Sequence, residues 1–264
     1  MDPAHLAALY AWFDRFVAGF SGEAPAHQRN YDLKITHTHQ VCALMRRLAA
    51  AEGLSAADQR LAEAVALCHD VGRFPQYRQY RTFNDPLSVN HAALAIQTLK
   101  AEGALLCLPP KQQELLLQGV ALHNVFILPA RLRSEVLRLA LLIRDADKLD
   151  IWRVLIEHYT VPVAQRASAV TWELPVTGSC SSRALSEIVA QRMVDRALLE
   201  TADDFKLLQL SWVFDLNFRE SFAILLERDY IETLAALLPQ QTGCSQAVAV
   251  VKDYVWQRRE SFDA

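Results

Sequence analysis

The stretch Ala64-Val65-Ala66-Leu67-Cys68-His69-Asp70-Val71-Gly72-Arg73-Phe74 is an apolar segment that ends in an imidazole and a carboxylate. Buried polar side chains need partners, so a helix ending this way sets two metal-capable groups at the edge of a core. Adjacent residues of an α-helix project about 100° apart, close enough for both to reach one ion beside it. Gly72 and Pro75 are expected to stop the helix. Taken singly, a His-Asp pair is more often a hydrogen-bonded core pair than a ligand pair. The reading therefore turns on whether other His and Asp residues fall on apolar helical faces.

Only 8 glycines in 264 residues, with the prolines set between Ala- and Leu-rich stretches, predict an all-α chain. An apolar fraction of 52% suffices for a sizeable core. A net charge of −3 makes no electrostatic case for polymeric nucleic acid or an anionic membrane as the main partner. Any phosphate must then be met by local positive charge. Cys42, Cys68, Cys107, Cys180 and Cys244 lack CxxC spacing and read as reduced thiols, not zinc ligands. The N-terminus has no basic segment ahead of an apolar run, and no apolar stretch approaches the ~18 residues of a spanning helix. A cytoplasmic protein is expected.

Working outward, residues 3–20 read as an amphipathic helix and 21–30 as a loop. A helix over 31–52 puts His37, Val41, Leu44 and Leu48 on one face, with His39 on the surface. Gly53 closes it, and Ser55 or Asp58 caps the helix that ends at His69-Asp70. Residues 73–84, dense in Arg and aromatics, read as an irregular stretch suited to a pocket mouth. Asn84 or Asp85 then caps a helix with Pro86 at its first position, on which His91, Leu94, Ala95 and Thr98 share a face. After Pro109-Pro110 another helix aligns Leu116, Val120 and His123.

The helix over 134–159 is apolar on most sides yet carries Asp145, Asp147 and Asp150. A buried carboxylate without a partner costs several kcal/mol, and Arg144, Lys148 and Arg153 offer local neutralisation. Azimuth favours Asp147 weakly as the inward carboxylate. Residues 161–182 form a connecting loop, followed by helices over 184–196, 203–227, 230–238 and 245–258. Trp212, Phe214, Phe218, Phe222, Leu225 and Tyr230 read as packing residues. Two segments are expected, a helical core over 1–160 and a loop with C-terminal helices over 161–264, forming one compact unit. The C-terminal aromatics would serve a homodimer face as readily as an intramolecular one.

Four expected helices thus offer His37, His69-Asp70, His91 and His123, and a fifth offers Asp147. Convergence on a cation accounts for all of them at once. Five pieces stand in order: Lys34-Ile35-Thr36-His37-Thr38, His69-Asp70-Val71-Gly72-Arg73-Phe74, Asn90-His91-Ala92, Leu122-His123-Asn124 and Arg144-Asp145-Ala146-Asp147-Lys148-Leu149-Asp150. This set resembles the HD-domain superfamily of metal-dependent phosphohydrolases. The likeness is closest to bacterial HD proteins of this length carrying HDxGRF, Thr82-Phe83-Asn84-Asp85 and RDADKLD. It reaches into Leu210-Ser211-Trp212-Val213-Phe214-Asp215-Leu216-Asn217-Phe218 and so covers most of the chain.

The resemblance implies an HD-type helical bundle in 1–160 with a C-terminal helical extension. It implies His37, His69, Asp70 and Asp147 as ligands of one divalent metal, Asp147 being the Asp before the basic-Leu pair. His91 and His123 match positions that hold a second metal or meet substrate phosphate, with Asp70 as the bridge. Mixed imidazole and carboxylate ligation suits Mn, Fe, Co, Ni or Zn better than Mg, as one or two ions. Asp70, Arg73 and Lys148 are the expected catalytic residues, Lys34, Arg78 and Arg81 less directly placed cations, and Asp145 or Asp150 a carboxylate that orients a ligand. The expected activity is hydrolysis of a phosphomonoester or phosphodiester in a small phosphorylated metabolite, foremost a nucleotide. The alternative is a non-catalytic HD-fold protein that binds a metal or nucleotide as a sensor. With no P-loop, GxGxxG or GxSxG in the chain, nucleotide-fold and serine-hydrolase readings have no support.

Overall fold

The computed structural model describes residues 1–162, 165–170 and 174–263, and among these it is all α, with no strand. The elements are α1 (Pro3–Ala18), α2 (Pro25–Ala51), α3 (Ala56–Cys68), α4 (Arg73–Tyr80), α5 (His91–Ala101), α6 (Pro110–Leu122) and α7 (Ser134–Thr160). They continue with α8 (Ser182–Val189), α9 (Ala202–Ser211), α10 (Arg219–Glu227), α11 (Tyr230–Ala236) and α12 (Thr242–Asp263). The chain forms two compact units: Met1–Val154 with Thr160–Val170, and Leu155–Tyr159 with Thr171–Ala264. Among the described residues, no helix is long and apolar enough to cross a membrane.

In the first unit α3 is the central element, packed against α1, α2 and α6, and every residue from Leu61 to Cys68 is buried. Its start is fixed by Ser55, whose hydroxyl accepts from the Asp58 backbone N–H. Asp2 caps α1 and Asn90 caps α5 in the same way. The core around it holds Leu9, Phe13, Val41, Leu48, Val65, Leu67, Leu116, Val120, Leu142, Ile143 and Trp152, all fully buried.

In the first unit several boundaries differ from the sequence expectations. Helix α2 begins at Pro25, six residues before the expected start at 31, because proline at the first helical position has a pre-set φ and no N–H to leave unpaired. Helix α3 ends at Cys68, not at Gly72, and Gly72 is instead the N-cap of α4. The expected irregular stretch is therefore largely helical. Pro75 fits there because first-turn N–H groups have no intrahelical acceptor. Pro86 lies in a 3-10 turn, Asp85–Leu87, and α5 begins only at His91.

Gly72 is required for a close approach. A Cβ there would lie 2.2 Å from the His91 carbonyl oxygen and 2.5 Å from the Ala95 nitrogen, so only glycine lets α4 start against the first turn of α5. Phe74, one residue into α4, closes the other side. It packs with Phe13, Phe16, Phe20 and Tyr31 at centroid distances of 5.4–6.2 Å.

In the second unit the helix expected over 203–227 is broken. Helix α9 ends at Ser211, a 3-10 turn spans Trp212–Asp215, and α10 starts at Arg219. Asn217 donates its side-chain amide to the Asp215 carbonyl (2.9 Å), a local bond that competes with helix continuation. Thr201 and Asp204 form a reciprocal capping box at the start of α9. Helix α8 stops at Val189, short of the expected 196, and Gln191 beyond it is left-handed (φ 53°). Cys180 and Cys244, read separately from the sequence, meet with their Sγ atoms 3.0 Å apart.

Candidate metal centre

Helices α3 and α6 end alike. His69 follows the last residue of α3 and donates Nδ1–H to the Ala66 carbonyl (2.6 Å); His123 follows the last residue of α6 and donates to the Val120 carbonyl (2.7 Å). The last-turn carbonyls of a helix have no intrahelical donor, so each ring satisfies its own helix end. Gly119 lets the two helices close up, since a Cβ there would be 2.8 Å from Val65 Cγ1. The rings of His69 and His123 come within 5.1 Å as a result.

The other two histidines are held by carboxylates. His37, midway along α2, donates Nδ1–H to Asp150 Oδ2 (2.7 Å), and Arg153 braces that carboxylate with two further bonds of 2.7 and 2.8 Å. His91, the first residue of α5, donates Nδ1–H to Asp85 Oδ2 (2.6 Å). With every Nδ1 engaged as a donor, all four rings turn Nε2 toward the same place.

Asp70 sits between those nitrogens. Its Oδ2 is 3.7 Å from both His37 Nε2 and His69 Nε2, while its Oδ1 is 3.5 Å from His91 Nε2 and 3.9 Å from His123 Nε2. Asp147 Oδ1 lies 3.0 Å from His37 Nε2 and 3.6 Å from His69 Nε2. Two sets of possible ligand atoms result, His37 with His69 and Asp70, and Asp70 with His91 and His123. All of these side chains are buried except Asp147, whose side chain is 16% exposed.

The electrostatics follow from burial against mutual contact. Burial opposes charge on Asp70, but Lys34, His69, Arg73 and His91 outweigh it and hold the carboxyl far below the usual range. Asp147 is held down in the same way, against burial, by His37 and His69. Burial and Lys34 push His37 down, yet Asp147 and Asp150 prevail and raise it to about 9. His123 moves the other way, to about 3, through burial and the neighbouring His91 and His69. His91 is also lowered, by burial and by Arg73.

Such a group of atoms fits a divalent cation. Among the described residues, the buried Nε2 of His69 has no hydrogen-bond partner, and that of His37 meets only carboxylate oxygen, Asp147 Oδ1 at 3.0 Å. The Nε2 atoms of His91 and His123 face each other at 2.9 Å, and with both protons on Nδ1 these are two lone pairs beside a carboxylate. Lone pairs converging on anionic oxygens in a water-poor site call for a positive charge. The borderline-soft imidazole and hard carboxylate donors suit a first-row transition ion.

The cations expected from the sequence are distributed unequally. Lys34 Nζ is 2.7 Å from Asp70 Oδ2 and 5.2 Å from the centroid of Phe83. The Arg73 guanidinium borders Asp70 (3.4 Å) and lies 5.8 Å from the same ring. Lys148 is partly exposed one residue beyond Asp147. Arg78 instead donates to the Gly19 carbonyl and stacks on Phe20 (3.9 Å), and Arg81 pairs with Glu23 (3.4 Å). Of the two carboxylates considered for orienting a ligand, Asp150 holds His37, and Asp145 is fully buried. His39 is exposed beside Tyr10 and Phe13.

Asp85 is the residue that sequence reasoning missed in this role, having been read as a helix cap and as the last residue of the Thr82-Phe83-Asn84-Asp85 segment. Its signal was the spacing of a carboxylate six residues ahead of a histidine, which no helical periodicity marks.

Residues 35–152 match the family model described as HD domain. No curated protein and no solved structure gives a significant match to the chain. All four histidines, with Asp70, Asp85, Asp147 and Asp150, fall inside the matched residues. The match places an HD domain in residues 35–152 of the chain.

Proposed function

We propose that the chain is a metal-dependent phosphohydrolase that cleaves a phosphomonoester or phosphodiester in a small phosphorylated metabolite, foremost a nucleotide. One observation carries the reading: the two oxygens of Asp70 face two separate pairs of imidazole nitrogens, each ring fixed through its Nδ1. HD domains are typical of metal-dependent hydrolases, and this donor set suits that chemistry. His37, His69, Asp70 and Asp147 would hold one divalent ion, and Asp70, His91 and His123 a second ion or a substrate phosphate. When bound, such an ion acidifies water and withdraws charge from phosphoryl oxygens.

The chain's own residues supply the rest. Asp150 and Asp85 fix the faces of His37 and His91, so their nitrogens need no reorganisation as the reaction proceeds. Lys34 and Arg73 put positive charge beside Asp70, where phosphoryl oxygens would gather. Losing one such donor lowers rates by about 10² in comparable preorganised sites. Lys148 would meet the phosphate from the side of Asp147. Phe83, half-buried against both Lys34 and Arg73, supports a substrate with a flat aromatic part over a plain sugar phosphate.

The test is turnover of an aryl phosphate monoester and diester by Mn²⁺- or Co²⁺-loaded protein, followed by a screen of phosphorylated metabolites that includes nucleotides. The reading expects hydrolysis that a chelator abolishes. Stoichiometric metal binding with no turnover of any phosphate ester would favour the sensor alternative.

A further inference from the structure

We propose that Asp85 is the positioning residue of the His91–His123 half of the centre, setting how strongly that half holds a metal ion. The inference rests on the reading of that half as a second ion position. His69 and His123 are oriented by main-chain carbonyls that no substitution removes, whereas His91 is oriented by a side chain in the segment before α5.

The geometry around Asp85 is specific. Oδ2 accepts from both Nδ1 (2.6 Å) and the backbone N–H (3.3 Å) of His91. Oδ1 accepts from Arg73 Nη1 (2.8 Å) and Gln76 Nε2 (2.9 Å). Gln76 is fully buried and also donates to Ser88 Oγ and to the Val89 carbonyl (2.9 and 3.0 Å). Arg73 Nη1 reaches the Phe83 carbonyl as well (2.7 Å). The carboxylate is thus held by Arg73 and Gln76 as it holds His91, and an anionic partner on Nδ1 makes Nε2 a stronger donor to a cation. Asp85 touches no substrate in this arrangement; it acts through His91.

The experiment measures metal content and Mn²⁺ affinity of the full-length wild type and of Asp85→Asn and Asp85→Ala, with histidine nitrogen NMR of the metal-free forms. Asparagine keeps an acceptor for His91 Nδ1 while losing the charge, so it remains informative if the alanine variant fails to fold. The wild type is expected to bind two ions. Asp85→Ala should bind the second about 10–100-fold more weakly while holding the first within twofold, with Asp85→Asn between. In the NMR spectra the His91 proton should leave Nδ1 in the alanine variant. Unchanged binding of both ions in both variants overturns the role of Asp85 and leaves the two-ion reading standing. Equal weakening of both ions also overturns it, since the effect would then be general to the fold. A wild type that binds one ion, retained in His91→Ala, overturns the two-ion reading and this inference with it.

Discussion

His37 faces Asp147 through Nε2 at 3.0 Å and holds Asp150 through Nδ1, and these two carboxylates raise its pKa from 6.5 to about 9. In metal-free protein the Nε2 site therefore carries a proton at neutral pH, which a metal ion must displace. A raised folded-state value stabilises below pH 6.5 and is lost as pH climbs toward 9. His91 and His123 are lowered, so the folded protein resists taking up protons that the unfolded chain binds below 6.5, and stability falls on that side too. Melting temperature of metal-free protein against pH is expected to peak near neutrality, and His37→Gln should flatten the alkaline limb. An alkaline limb unchanged in that variant would mean His37 is not its source. Asp70→Ala is expected to lose bound metal and all hydrolysis, whereas His39→Ala, on the exposed side of α2, should change neither; metal content and turnover check both. At this scale the sequence was most legible where His or Asp stood out in apolar surroundings, as at His37, His69-Asp70 and His123. Asp147 was chosen over Asp145 by resemblance more than by azimuth, because α7 is too apolar all round to mark its buried side. Asp85 was illegible because its partner is reached by a loop, not by a periodic face.

Helix ends, more than helix faces, build the centre: α3 and α6 each finish in a histidine, and α5 begins with one. Their meeting depends on two glycines that remove a side chain where backbones or branched residues must touch. Gly72→Ala would place a methyl group 2.2 Å from the His91 carbonyl and 2.5 Å from the Ala95 nitrogen, both backbone atoms that cannot rotate away. It is expected to destabilise the protein by about 1–3 kcal/mol and to weaken metal binding by shifting α4 from α5. Urea unfolding with a metal titration measures both, and wild-type values for each would show that the approach is not tight. Gly72 also explains where an element boundary misled. Gly72 and Pro75 carry the usual stop signals, yet here the first caps a new helix and the second fills its first turn, so a helix was read as a loop. Pro25 likewise opened a helix inside an expected loop, while Asn217 broke one expected to run on.

Across the whole molecule, charge is concentrated where a core would normally exclude it. Four imidazoles and the carboxylates of Asp70, Asp147 and Asp150 lie among fully buried apolar side chains of the first unit, with Lys34, Arg73 and Arg153 as the cations the structure places on them. An ion that binds this cluster only in the folded chain should stabilise the fold. At a free concentration near a hundred times Kd, one site contributes about 2.7 kcal/mol, and a chelator is expected to lower the melting temperature by several degrees; no shift would mean the cluster is self-sufficient. The all-helical class was legible from few glycines and helical periodicity, because those signals sum over many residues. The central claim is that both oxygens of Asp70 face metal ligands. Anomalous scattering from crystals grown with Mn²⁺ tests this most directly. The account predicts density within bonding distance of the Asp70 carboxylate, on the His37–His69 side and on the His91–His123 side. Mn²⁺ peaks that lie away from Asp70 would contradict it.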